Sequence, residues 1–457
     1  MTTTHLLRRA QRPPQERSLH ARRGAMILLP LLLLLVLLGA CTPVAGPGNQ
    51  TTKATATSVP TSAKTTTCPD FLKQVMTCLT PYTIREAYGV EALTEQGWTG
   101  KGQTVIDIVS FGSPTLQQDM NVYDQTFHLP PVNLQIVSPL HEAQSGSQKD
   151  ISGWAGETTL DVQVIHSIAP DAKIVVLTSP VAETEGTIGL PEFRQLVQYA
   201  LNNKLGYIFS QSWGASELTL QNQAGQQELQ KWNTLFQQAT TRQGATFFSS
   251  SGDEGATDYA DLNAQQVANV PTTSFAPDSP WVTAVGGTTV LPHGNNTFTE
   301  RVWNSGDGAS GGGFSRFYPT PDYQKTLPAS VQKELQNRRG VPDVAADADP
   351  STGLAMYEGG QWTMAGGTSA AAPVWAGIMA IANQRAGHPL GFINPALYKL
   401  ATGSTYSQDF RDVTVGDNHF APTNVSGYSA APGWDPVTGL GTPKADKLIP
   451  DLISAMK

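Results

Sequence analysis

Ala365-Gly366-Gly367-Thr368-Ser369-Ala370-Ala371-Ala372-Pro373 is a Gly-Thr-Ser followed by small residues that open an apolar run. The pattern predicts a helix with a serine hydroxyl at its N-terminus, where free backbone N–H groups and the dipole favour negative charge. An oxyanion formed on attack by Ser369 would sit in that field, which suits an acyl-transfer nucleophile. The small neighbours let a substrate backbone come close. Pro373 is placed near the first turn, where a missing N–H costs least. The same residues also describe a helix-capping serine in a tight small-residue contact, and only partners for the hydroxyl separate the two readings.

Histidine is the usual partner of such a serine. The chain has eight, and none has the setting of a general base. His5 and His20 lie in the leader; His128, His141, His293, His388 and His419 fall among turn residues. His166 comes late on a predicted helix that starts at Gly156 and is stopped by Pro170; its apolar Leu160, Val164, Ile165 and Ile168 recur at helical spacing. Glu157 and Asp161 are i,i+4 neighbours on that helix. Buried together they would share a proton and form a base from two carboxyls, with Glu157 touching the serine and Asp161 behind it. Exposed, they are a solvated acidic face near a helix N-terminus. Further on, the apolar Thr246-Phe247-Phe248 runs into Ser249-Ser250-Ser251-Gly252-Asp253, placing Asp253 at a strand end, where α/β enzymes carry functional side chains. Asp253 is either an Asx-turn residue or, while protonated, a hydrogen-bond donor to an oxyanion.

Taken together these segments resemble the sedolisin family, the serine-carboxyl peptidases with a subtilisin-like fold. The resemblance runs from Thr80 to the C-terminus. It also takes in Thr99-Gly100-Lys101-Gly102-Gln103-Thr104-Val105, Ser210-Gln211-Ser212-Trp213-Gly214, Trp281 to Thr288, Gly311-Gly312-Gly313-Phe314-Ser315 and Val341 to Asp347. It implies a catalytic set of Glu157, Asp161, Asp253 and Ser369, with Ser212, Trp213, Gly214 and Gly312 flanking a protein or peptide substrate. It further implies one structural Ca2+ held by the Asp412 and Asp435 side chains and by the carbonyls of Val413, Ala431 and Gly433. Hard oxygen donors of this mixture suit calcium. Glycine is usual in the family at the Ala431 position, and a carbonyl ligand survives that change only if the backbone there is unstrained. Two aspartates in unrelated turns are the other reading of this segment.

Short β-branched runs (105–109, 173–178, 207–210, 245–249, 282–285) alternate with helical stretches such as 191–203 and 227–242. The expected fold is therefore α/β, a subtilisin-like parallel sheet flanked by helices in one catalytic domain over residues 80–457. The segment 288–340, richer in Gly, Asn and Pro, reads as long loops over the active face. Charged residues are 14% of the chain and the net charge is −8, with no basic patch for nucleic acid. Arg17, Arg22 and Arg23 precede an apolar run, 25–38, that ends Leu38-Gly39-Ala40-Cys41. The run is shorter than the ~20 residues of a membrane span and reads as a lipoprotein-type signal peptide over 1–40. Cys41 becomes the lipidated residue and the only membrane attachment; an ordinary signal peptide or uncleaved anchor is the alternative. Residues 41–79 are a Thr/Ser/Pro-rich tether ending in a cysteine loop, and outside the cytosol Cys68 and Cys78 are expected to pair.

Sedolisins commonly carry a long N-terminal prodomain, and the tether is too short and polar to be one. The expected protein is a monomeric, surface-tethered endopeptidase acting at acid pH. Its alternatives are a catalytically silent peptide-binding lipoprotein of the same fold and an esterase using the same nucleophile.

Overall fold

The computed structural model describes residues 67–73, 77–293 and 297–457. The leader, Cys41 and the tether up to residue 66 lie outside the described residues. The β-branched runs form one mixed sheet of eight strands: Thr104–Ser110 (β1), Asn133–Val137 (β2), Lys173–Ser179 (β3), Ile208–Gln211 (β4), Thr246–Ser250 (β5), Thr283–Pro292 (β6), Phe298–Val302 (β7) and Val344–Asp347 (β8). Seven of them are parallel, in the order β8-β6-β5-β4-β1-β3-β2, and β7 pairs antiparallel with β6. Helices cover both faces of a parallel sheet, so its inner strands are buried without alternation. β1, β3, β4 and β5 show this, whereas the edge strand β2 is largely exposed.

Crossover helices Leu116–Phe127 (α1), Gln148–Ile168 (α2), Leu190–Asn202 (α3) and Gln223–Gln243 (α4) join successive strands, and Thr368–Ala386 (α5) follows the last. α2 begins well before the predicted Gly156. Ser147 caps it by accepting from the Asp150 N–H at 3.2 Å, and the Asp150 carboxylate accepts from the Ser147 N–H at 2.9 Å. Glu157 is therefore mid-helix, where the dipole does not reach it. α5 is apolar on every side and buried from Thr368 to Asn383, which makes it the central helix of the core. It packs on α2, β4, β5, β6 and β8. The α2 crossing depends on Gly377, where a Cβ would fall 2.7 Å from Ile168.

Residues 288–340 are not simply loops. The strand after Trp281 runs on to Pro292 and turns back as β7, and Gly313–Pro319 pairs antiparallel with Arg338–Val341. Gly, Pro and charged residues conceal these strands in the sequence, although Arg338–Val341 and the start of Gly313–Pro319 are buried and only Phe298–Val302 is largely exposed. Cys68 and Cys78 are disulfide-bonded, with Cα atoms 5.9 Å apart. Connections pass to the β3 side of β1 first and to the β4 side afterwards. The strand order thus switches at β1 and β4, and the carboxyl ends of strands at such a switch open onto a crevice.

Candidate active site

Into that crevice the fold brings Glu157 and Asp161 from α2, Ser212 from the end of β4, Asp253 from the end of β5, and Ser369 from the start of α5. Glu157 is 2% exposed, Asp161 is fully buried and Ser369 is 5% exposed. The solvated-face reading of the carboxyl pair is thereby excluded. The Ser212 hydroxyl donates to Asp161 Oδ1 at 2.6 Å and also lies 3.2 Å from the Ser369 carbonyl, joining the carboxyl helix to the serine helix. Pro373 explains why that carbonyl is available. It sits in the second turn of α5, not the first, and its missing N–H is the one that would have bonded Ser369 O.

Asp253 is anchored across the crevice and not within its own turn. Its Oδ1 accepts from the Thr368 N–H at 2.8 Å and the Thr368 hydroxyl at 2.9 Å. Gly252 N–H in turn donates to Thr368 Oγ1 at 3.0 Å. Gly367 has φ +77, and a Cβ there would meet Asp253 Oδ2 at 2.5 Å, so only glycine fits between the aspartate and the serine turn. Burial raises the Asp253 carboxyl, opposed by the two Thr368 bonds.

The structure adds a residue the sequence reading passed over. Asp107, in the middle of β1, is fully buried and meets no amide, hydroxyl or guanidinium donor. It hydrogen-bonds the Asp161 carboxyl; burial pushes it up to about 8, with the Glu157 charge adding to the rise. Asp161 is raised well above the carboxylate range, first by burial, then by the charges of Asp107 and Glu157, against the bond from Ser212. Three carboxyls thus share one dry compartment, which holds them only if protons are shared among them. The signal was present in Thr104-Val105-Ile106-Asp107-Ile108-Val109-Ser110: a lone acid in a strand that is otherwise apolar.

The four expected substrate contacts behave differently. The Ser212 hydroxyl is already spent on Asp161 and Ser369. The Trp213 ring is in the core against Phe193, Trp232 and Phe275. Gly214 faces Phe275, whose carbonyl would lie 2.9 Å from an added Cβ. Gly312 donates to Gly255 O at 3.2 Å and has room for no Cβ, which would meet Pro436 O at 2.1 Å. Its smallness is a packing requirement, which a sequence pattern does not distinguish from a substrate requirement. Of the histidines, His166 shares α2 with the carboxyls but its Nε2 lies 3.0 Å from Pro130 O and 3.1 Å from Asp124 Oδ1.

Comparison with known proteins bears on the whole arrangement. The Subtilase family profile matches residues 148–408, from the first residue of α2 past the end of α5. Kumamolisin of Bacillus sp. (strain MN-32) is 33% identical over 383 residues, covering 82% of this chain and 64% of that protein. Xanthomonalisin of Xanthomonas sp. (strain T-22) is 30% identical over 376 residues, covering 76% of this chain and 43% of the other. The chain belongs to the subtilase family and is of the sedolisin type. A solved structure of Pseudomonas sedolisin, a serine-carboxyl proteinase complexed with two molecules of pseudo-iodotyrostatin, superposes with a TM-score of 0.69. It is 27% identical and covers 82% of this chain and 98% of that one. The chain spans just under two thirds of the length of kumamolisin and less than half that of xanthomonalisin.

The aspartates expected to hold a metal in this sedolisin-type chain lie in one loop region, where the Gly433 N–H reaches Asp412 and the Ala431 N–H reaches Asp435. Asp435 Oδ1 accepts from the Val437 and Thr438 N–H groups at 2.9 and 2.8 Å, and Oδ2 from the Ala431 N–H at 2.9 Å. Asp412 Oδ2 accepts from the Gly433 N–H at 3.0 Å, whereas Oδ1 is buried without a donor. Both aspartates act on the same tyrosine, Tyr406. A buried Oδ1 with no amide donor on half-buried Asp412, in the same loop region as buried Asp435, fits a bound cation. Ala431 is not among the residues with positive φ, so alanine adds no strain there.

Proposed function

We propose that this chain is a serine-carboxyl endopeptidase of protein and peptide substrates that works at acid pH. The observation that carries the reading is the burial of Glu157, Asp161 and Asp107 in one compartment tied by Ser212 to the main chain of Ser369. A carboxyl set of this kind serves as a base without histidine. Ser369 Oγ bonds to the peptide carbonyl carbon while its proton passes to Glu157. Asp161 holds Glu157 in place, and Asp107 shares the charge behind it. The carbonyl oxygen becomes an oxyanion facing the Ser369 N–H, a first-turn amide with no intrahelical acceptor, and protonated Asp253. Glu157 returns the proton to the leaving nitrogen as the C–N bond breaks, and water then releases the acyl group by the same two proton transfers.

Further features of the reading stand apart from the chemistry. Asp412 and Asp435, with the carbonyls of Val413, Ala431 and Gly433, would hold one Ca2+, which stabilises the loop and takes no part in bond making. Export by the 1–40 leader, with lipidation at Cys41, would place the enzyme on the outer face of the membrane. Digestion of a denatured protein across pH 2–8, with mass spectrometry of the fragments, tests the reading. Acid-side cleavage that S369A abolishes is expected. Peptide binding without cleavage at any pH would instead support the silent lipoprotein.

A further inference from the structure

A second pair of buried acids lies outside the catalytic compartment. Glu217 and Asp278 are both fully buried. Glu217 follows Ala215-Ser216, which continues from Gly214 and pairs antiparallel with Ser274-Phe275; Asp278 follows that partner segment. The Glu217 N–H donates to Thr273 O at 3.0 Å, closing the ladder. The third element is the strand Gly313–Pro319, which follows Gly311 and Gly312. Ser315 Oγ donates to Glu217 Oε1 at 2.5 Å and lies 3.4 Å from Asp278 Oδ2. The Arg316 N–H donates to Glu217 Oε1 and Oε2 at 3.0 and 2.8 Å.

Asp278 is left short of donors. Its Oδ1 meets no amide, hydroxyl or guanidinium, its Oδ2 has only the long Ser315 contact at 3.4 Å, and its carboxyl hydrogen-bonds the Glu217 carboxyl. Two carboxyls bonded to each other require a proton between them. The surroundings offer no substitute for it. Arg339 is the cation that acts on Asp278, but its guanidinium is already committed to both oxygens of Asp343 at 2.8 and 2.5 Å. The Arg316 guanidinium turns away to Pro271 O. Tyr318, the other titratable group facing the pair, is half-buried with a buried, unpartnered hydroxyl and brings no positive charge. Burial, then the Glu217 charge and hydrogen bond, holds the Asp278 carboxyl well above the usual range.

The same three segments border the catalytic crevice. Gly214 lies against Phe275, and the Gly311 N–H donates at 2.7 Å to the carbonyl of Gly252, the neighbour of Asp253. We propose that Glu217 and Asp278 are positioning residues that share one proton and, through Ser315, clamp the walls of the peptide cleft, so that the cleft is held only while that proton is bound. The location of the cleft rests on the peptidase reading; the clamp itself does not need turnover. Loss of the proton leaves two buried negative charges in contact, and the walls must separate to hydrate them.

The test uses the full chain carrying S369A, to prevent self-digestion, with and without D278N. Asparagine supplies an N–H to Glu217 that does not titrate. Amide hydrogen exchange over 213–217 and 313–316, corrected for intrinsic pH effects, is followed from pH 4 to 8, with β1 as the internal control. Protection in S369A alone should fall by about tenfold per pH unit once the pH exceeds the point of proton loss. With D278N it should stay flat, while β1 protection is alike in both. Parallel pH profiles in the two proteins, or protection in S369A that does not depend on pH, would overturn the clamp. If D278N does not fold, S315A removes the hydroxyl that donates to the ionised carboxyls and should move the loss of protection to higher pH; an unmoved midpoint would overturn the proposal. Neither readout depends on cleavage, so a failure here is separate from a failure of the peptidase reading.

Discussion

At the residue scale, the proposed nucleophile and its proposed carboxyl partners make separable predictions. S369A replaces a buried hydroxyl at a helix start by a methyl, at a cost of about 1 kcal/mol, and should abolish cleavage while the melting temperature stays near that of the parent. Undiminished proteolysis by the variant would remove the central claim. Asp253 must carry a proton to bond an oxyanion, and it loses that proton as pH rises. D253N supplies a donor that does not titrate, so kcat/KM should fall at the optimum but its alkaline limb should extend upward; a limb that stays in place would show that another group sets it. D107N tests the residue missed in the sequence. Replacing a charge-sharing acid by a neutral amide leaves Asp161 and Glu157 with one less acidic neighbour. Their shared proton should leave at lower pH, moving the acid limb of kcat/KM downward, and an unmoved limb would make Asp107 a packing residue. Glu157, Asp161, Asp253 and Ser369 could be proposed from the sequence because each lies in a local pattern of spacing or turn chemistry, and the fold brings them to one crevice. Asp107 could not, because its meaning depends on which helix crosses the middle of β1.

At the element scale, local sequence decided which segments are helices and strands, whereas helix crossings and loop closures came from contacts remote in the chain. The buried run from Thr368 to Asn383 marks α5 as a central helix from composition alone. That it crosses α2 at Gly377 is visible only once Ile168 is seen 2.7 Å from where a Cβ would be. Gly377→Ala should therefore push the carboxyl helix from the serine helix. The expected result is a loss of kcat larger than the loss of stability, because about 1 Å of misplacement costs on the order of a hundredfold in rate. A variant with full kcat would show that the crossing tolerates the methyl group. The Asp412–Asp435 loop makes a different prediction. A cation bound only by the folded protein stabilises it by mass action. Chelation, or D412A with D435A, should lower the melting temperature of S369A, and chelation should add nothing to the double variant. A melting temperature indifferent to chelator, with no metal found by elemental analysis, would leave the orphaned Asp412 Oδ1 unexplained and the calcium assignment wrong.

At the scale of the whole molecule, the fold buries carboxyls far beyond the number chemistry requires. Burial raises Asp107 and Glu183 to about 8 and Asp258 to about 6, and lifts Asp161, Glu185, Glu254, Asp278 and Asp347 well above the carboxylate range. Each of these groups holds a proton in the folded state at a pH where the unfolded chain, with carboxyl values near 4, has released it. The folded state then binds more protons than the unfolded one, and stability falls as pH rises, by at most about 1.4 kcal/mol per pH unit for each group. Below pH 4 both states are protonated and the full stability is present. Between pH 4 and 6 all of these groups contribute to the decline, and Asp107 and Glu183 continue to do so to about pH 8. Few surface charges oppose the trend, since acidic and basic residues together make up only 14% of the chain. The melting temperature of S369A should accordingly be highest near pH 4 and fall steadily toward pH 8, the reverse of a protein whose acids are ion-paired. A melting temperature that climbs from pH 4 to pH 7 would mean that these carboxyls are ionised and hydrated in the folded protein. The compartment of Glu157, Asp161 and Asp107 would then lack the shared protons on which the proposed base depends, and Asp253 the proton its proposed role as oxyanion donor needs.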